Sequence, residues 1–156
     1  MERDQSLREH LRKLLDWEDA HISFDRAIEG IEPEKYGEVP KGSAHSLWQL
    51  LEHLRRCQLD ILDFCRNPKY EERSMDEYWP PSVAPPTPDA WRESVASFRH
   101  DRDDLEKLAM DTRIDLFAKI PHGSGQTYLR ELILVADHNA YHVGQIVAAR
   151  RALGNW

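Results

Sequence analysis

The chain predicts an all-α fold, a four-helix bundle, and three observations lead there. Apolar residues recur at steps of three and four through four separate segments. Each segment is bounded by capping residues, proline or glycine. Strand-like alternation never holds for more than a few residues. With 156 residues, 40% of them hydrophobic, the chain is expected to form one domain over residues 1–156 with a core of its own.

The first helix is expected to open at Ser6-Leu7-Arg8-Glu9, a capping-box pattern, and to close at Gly30. Its apolar face runs Leu7, Leu11, Leu14, Trp17, His21, Phe24 and Ile28, which places His21 inside the buried stripe. The second opens with Ser46-Leu47-Trp48-Gln49, again a capping box, and stops before Asn67-Pro68. Leu47, Leu50, Leu51, Leu54, Ile61 and Leu62 form its stripe, with His53 at the edge. Thr87-Pro88 opens the third, whose inner face is Trp91, Val95, Phe98, Leu105 and Leu108, interrupted by Arg102. A fourth runs from about Thr127 to Arg151 with Gly154 as its cap.

Between the second and third helices lies a segment, 67–86, containing Pro68, Pro80, Pro81, Pro85 and Pro86, which cannot be helical throughout. It is long enough to cross the roughly 30 Å of a 20-residue helix, so those two helices are free to run in the same direction. Trp79 is its natural anchor, because indole burial gains much apolar contact.

Composition narrows the function classes. A net charge of -7 argues against nucleic acid as a partner. No apolar run approaches the length of a membrane span and the charged start is no signal peptide, so a cytoplasmic protein is expected. Cys57 and Cys65 lie about 12 Å apart along one predicted helix, too far for a disulfide.

The chemistry centres on His138-Asn139-Ala140-Tyr141-His142 in the fourth helix. Two histidines four apart share one helix face and can hold one divalent cation. A third ligand must come from another helix, and His53, at a core edge, is the best placed. Taken singly, each histidine reads first as a hydrogen-bonded boundary residue; the pairing is what points to a metal. His21 is a pocket candidate or a core histidine, and Gln145 a candidate to orient a ligand or a bound water. Cys57, a turn from His53, reads as a buried thiol before it reads as a soft ligand. Arg102 suits a snorkelling role better than contact with an anionic substrate.

Two stretches, Ser46-Leu47-Trp48-Gln49-Leu50-Leu51-Glu52-His53-Leu54-Arg55 and Asp137-His138-Asn139-Ala140-Tyr141-His142-Val143-Gly144-Gln145-Ile146, resemble the signature segments of the DinB family. The Asp16-Trp17 to His21 region and Tyr78-Trp79-Pro80 resemble members of that family as well. The resemblance implies an up-down-down-up bundle with a long crossover between helices 2 and 3. It also implies a divalent metal, zinc or nickel first and iron third, on His53, His138 and His142. Relatives in that family include thiol-dependent S-transferases. The expected activity is therefore that of a metal-dependent enzyme that activates a low-molecular-weight thiol or water toward a small-molecule substrate, with a homodimer as a candidate assembly. A non-catalytic metal-binding or stress-response bundle is the alternative. No catalytic residue beyond the ligands is assigned.

Overall fold

The computed structural model describes residues 2–156. Five helices appear: α1 Glu2–Leu14, α2 Phe24–Ile28, α3 Leu47–Arg66, α4 Ala90–Met110 and α5 Tyr128–Ala152. Two short 3-10 turns, Pro33–Lys35 and Met75–Tyr78, lie in the connections. The described residues contain no strand, only an isolated bridge between Lys119 and Thr127. No helix among them is long and apolar enough to cross a membrane.

Local chemistry explains the ends of the long helices. Ser46 caps α3 as a full capping box: its Oγ accepts from Gln49 N, and Gln49 Oε1 accepts from Ser46 N. Arg66 ends that helix because Asn67 turns extended ahead of Pro68. Thr127 Oγ1 accepts from Arg130 N to start α5, and Gly154, at φ 69°, closes it in the left-handed region. The Thr87-Pro88 signal sits two residues early, since Asp89 is the N-cap and α4 begins at Ala90.

The first predicted helix is corrected. Helix α1 stops at Leu14, and exposed turns separate it from α2. Ser23 caps a new helix by accepting from Arg26 N, and its Oγ donates to Glu18. Asp16 and Asp25 both reach Arg102, at 2.8 and 3.1 Å. These polar bonds outcompete a continuous helix whose apolar spacing was formally intact. The Ser6–Glu9 capping pattern goes unused, because α1 already begins at Glu2.

Helix α3 packs on α4 and α5, while α1 lies against α4 and α5. Contacts between α3 and α4 advance together: Glu52 with Ser94, Gln58 with the Phe98 carbonyl, Arg66 with Asp104. Those between α1 and α4 run in opposite order, Arg8 with the Ala109 carbonyl and Arg12 with Glu106.

Two apolar clusters fill the interior. One gathers Phe24, Leu47, Leu50, Leu54, Trp91, Phe98, Val143 and Ile146. The other gathers Leu11, Leu62, Leu105, Leu108, Leu132 and Val135. Each fully buried leucine contributes roughly 1.5–3 kcal/mol relative to exposure. Between the clusters runs a polar waist, where α3 offers Cys57 and Gln58, α4 offers Asp101 and Arg102, and α5 offers His138, Asn139 and His142. The bundle thus holds its chemistry at mid-height, braced by apolar packing above and below.

Candidate metal centre

Three histidine rings meet at the waist. The centroids of His53 and His142 are 4.5 Å apart, those of His138 and His142 4.5 Å, and those of His53 and His138 5.1 Å. The Nε2 atoms of His53 and His138 face each other across 3.2 Å. Two nitrogens bound to one tetrahedral ion at about 2.0–2.1 Å would stand about 3.3 Å apart, so this spacing fits the donor pair of a metal centre.

Hydrogen bonding decides which nitrogen is the donor. His53 Nδ1 lies 3.0 Å from the Tyr78 carbonyl, which can only accept, so Nδ1 carries the proton and Nε2 the lone pair. His142 Nδ1 lies 2.7 Å from Gln145 Oε1, which fixes the same tautomer. Metal-binding histidines are commonly oriented in this way, by giving the distal N–H to an oxygen.

Electrostatics keeps the rings neutral. Burial drives His53 down to about 4; the Tyr78 carbonyl opposes the shift, and His142 and His45 add to it. Burial likewise takes His138 to about 4, with His142 and His53 reinforcing the effect. His142 is lowered too, chiefly by burial. Neutral imidazoles at pH 7 have their lone pairs free, as ligation requires.

The donor atoms of His53, Cys57 and His138 all lie within 4.8 Å of one another. Cys57 Sγ, however, is nearly equidistant from the two nitrogens of His53, at 3.6 and 3.8 Å. A lone pair lies in the ring plane and points away from its own nitrogen, so a sulfur placed equally from both nitrogens lies along neither lone pair. Trp79 covers one face of the ring, stacked at 3.8 Å and 5°. His53 is therefore packed against an indole with the thiol beside it, and burial pushes that thiol up to about 12. The donor set that suits an ion is imidazole.

The family model for the DinB superfamily matches residues 16–146, a span that contains all three histidines. The chain belongs to the DinB superfamily. No match was found among curated proteins or solved structures.

In this DinB-superfamily chain the remaining sequence candidates fall in different places. Gln145 holds His142. His21 is corrected: it is exposed in the turn before α2, its Nδ1 against the Ile22 carbonyl, because the helix that would have carried it inward ends at Leu14. Arg102 is buried and spent on Asp16 and Asp25.

Three features had no reading from spacing. His45, just before the α3 cap, stacks on the free face of Trp79 at 3.8 Å, so the indole lies between two imidazoles. Gln58 and Asn139 are buried polar residues within apolar stripes. Their signal was present, since Gln58 lies four residues from both Leu54 and Leu62, and Asn139 four from both Val135 and Val143.

A cleft of about 610 Å³ lies between α3, α5 and the crossover, lined by Asp60, Ile61, Phe64, Tyr70, Tyr78 and Leu134 among others. Ile61 and Leu134 stand one helical turn from Cys57 and His138, so the cleft adjoins the histidine cluster. Asp60 accepts from the hydroxyls of Tyr78 at 2.9 Å and Tyr70 at 3.2 Å, and from Arg73 at 3.1 Å. Tyr78 thus ties the cleft wall to His53: its hydroxyl holds Asp60 while its carbonyl holds the ring.

Proposed function

We propose that this chain is a divalent-metal-dependent enzyme with His53, His138 and His142 as ligands and the adjoining cleft as its substrate site. The observation that carries the reading is the convergence of three neutral imidazoles, two of them with Nδ1 already committed to an oxygen. The order of contacts along α1, α3 and α4 supports an up-down-down-up bundle, with the proline-rich segment as the crossover.

A zinc, nickel or iron ion held there would supply Lewis-acid activation of a small thiol or of water. The chain's own residues do the rest. Trp79 restricts the His53 ring on one face, and Tyr78 and Gln145 fix two tautomers. The Tyr70 and Tyr78 hydroxyls are held protonated by burial and by Asp60, so they serve the cleft wall as neutral groups. An open site is favoured by His21, which lies in an exposed turn and takes no fourth position of the kind a closed structural site would fill. Thiol transfer to an electrophile is the specific reaction proposed.

The test is elemental analysis of protein purified without a histidine tag, followed by a thiol–electrophile screen on the metal-loaded form. One equivalent of metal per chain, lost in His138→Ala, is expected. A parent protein that neither carries nor takes up a divalent ion would end the proposal.

A further inference from the structure

Along both helices that carry the ligands, the three histidines lie between two openings. On one side is the cleft described above, reached by Asp60 of α3 and Leu134 of α5. On the other, Leu50 of α3 and Gln145 of α5 line a second cavity of about 370 Å³, walled by the loop at 40–45. The two differ in charge. The cleft presents Asp60, Glu72 and Glu131. Lys41 lines the second cavity and no carboxylate does, in a chain with 28 Asp and Glu against 21 Lys and Arg.

The donors of this cavity are unspent. Lys35 is paired with Glu38 at 2.9 Å, whereas Lys41 has no carboxylate within ion-pairing distance among the described residues. Gln145 Oε1 accepts from His142 Nδ1 at 2.7 Å, and its Nε2 has no acceptor among the described residues. An amide with its oxygen engaged still offers two N–H groups. His45 buries Nδ1 without a partner, so Nε2 is the nitrogen it can offer a ligand. Leu50, Ala148 and Ala149 add short apolar walls. A cation and a free amide beside an aliphatic floor match a carboxylate on a short aliphatic chain.

We propose that this cavity is a carboxylate subsite, with Lys41 as counter-ion and Gln145 Nε2 as hydrogen-bond donor. The proposal rests on the metal-site reading above for the reaction it serves, though not for its charge. Gln145 then bridges the two, its oxygen on His142 and its nitrogen on the occupant, so a bound anion lies one side chain from the histidine cluster. A small thiol that carries a carboxylate a few bonds from its sulfur anchors here and turns the sulfur toward the histidines. The carboxylates of the cleft disfavour the same anion, which leaves that opening to the electrophile.

Butyrate and butylamine, alike in length and opposite in charge, test the subsite in the metal-free protein, where no ion competes for the carboxylate. Butyrate should give saturable NMR shifts at the Gln145 side-chain amide and the Lys41 and Gly42 backbone amides, and butylamine none. Silence toward butyrate, or equal shifts from both, overturns the subsite. Lys41→Glu, an exposed change in a loop, should weaken butyrate about 10-fold or more with helical content unchanged. Unchanged affinity in that variant overturns it as well. On zinc-loaded protein, 3-mercaptopropionate should bind about 10-fold more tightly than propanethiol, and Lys41→Glu should erase the difference. Equal binding of the two thiols overturns the anchoring role. Should the parent take up no zinc, the metal reading falls, while the butyrate shifts still decide the subsite by themselves.

Discussion

The seam between α3 and α5 and the N-terminal segment through α2 solve the same problem in different ways. Both must place polar side chains against a largely apolar bundle. The seam does it on two long helices, where His53, His138 and His142 inherit their positions from apolar neighbours at four-residue steps. The N-terminal segment breaks its helix and attaches through charge, with Arg8 donating to the carbonyls of Ala109, Asp111 and Ile114, and Arg102 holding Asp16 and Asp25. Helical register gives the precision a metal centre requires, whereas ion pairs anchor a chain without dictating its path.

That contrast can be broken from either side. The largest effect is expected from His142→Ala, which should lower zinc affinity by more than the roughly 100-fold that loss of an outer partner costs. The two apolar clusters do not depend on the ring, so circular dichroism should show the helices intact. Global unfolding of this variant would make the site structural.

Arg102→Met should do the reverse. It leaves Asp16 and Asp25 without their shared partner, at a cost of about 2 kcal/mol in urea unfolding, with zinc affinity unchanged. A matching loss of affinity would show that the two regions are not independent.

Trp79→Leu frees one face of His53 and should weaken zinc binding about 10-fold, as read by competition with a chelating dye. No change would mean that the Tyr78 carbonyl alone suffices to hold the ring.

A further effect is on pH dependence. Folding lowers the pKa of His53 and His138 from 6.5 to about 4, so between those values the unfolded chain binds more protons than the native one. The metal-free protein should therefore lose stability as pH falls from about 6.5 toward 4, with no contribution from these rings above that window. Melting temperature against pH checks this, and His53→Gln should flatten the slope in that interval.

Much of the seam was legible beforehand. The caps of α3 and α5 use Ser46 and Thr127 as their local patterns suggest, and a four-residue step is enough to place His138 and His142 on one face. The break after Leu14 was not legible, because Trp17, His21 and Phe24 keep helical spacing. What opens the helix is Arg102, 86 residues from Asp16, together with the Ser23 cap. The bracing of His53 was equally hidden: it depends on the path of a proline-rich crossover that delivers the Tyr78 carbonyl and the Trp79 ring. Gln58 and Asn139 could have been found, since an uncharged polar residue in an apolar stripe signals a buried partner.

The placement of Trp79 between His45 and His53 also makes the protein its own optical instrument. An indole in van der Waals contact with two imidazoles emits according to their protonation, and a paramagnetic ion on His53 would quench it at short range. Four other tryptophans, Trp17, Trp48, Trp91 and Trp156, supply a background that Trp79→Phe would isolate. Cobalt or copper occupancy could then be followed by fluorescence in the unlabelled chain, without any added dye.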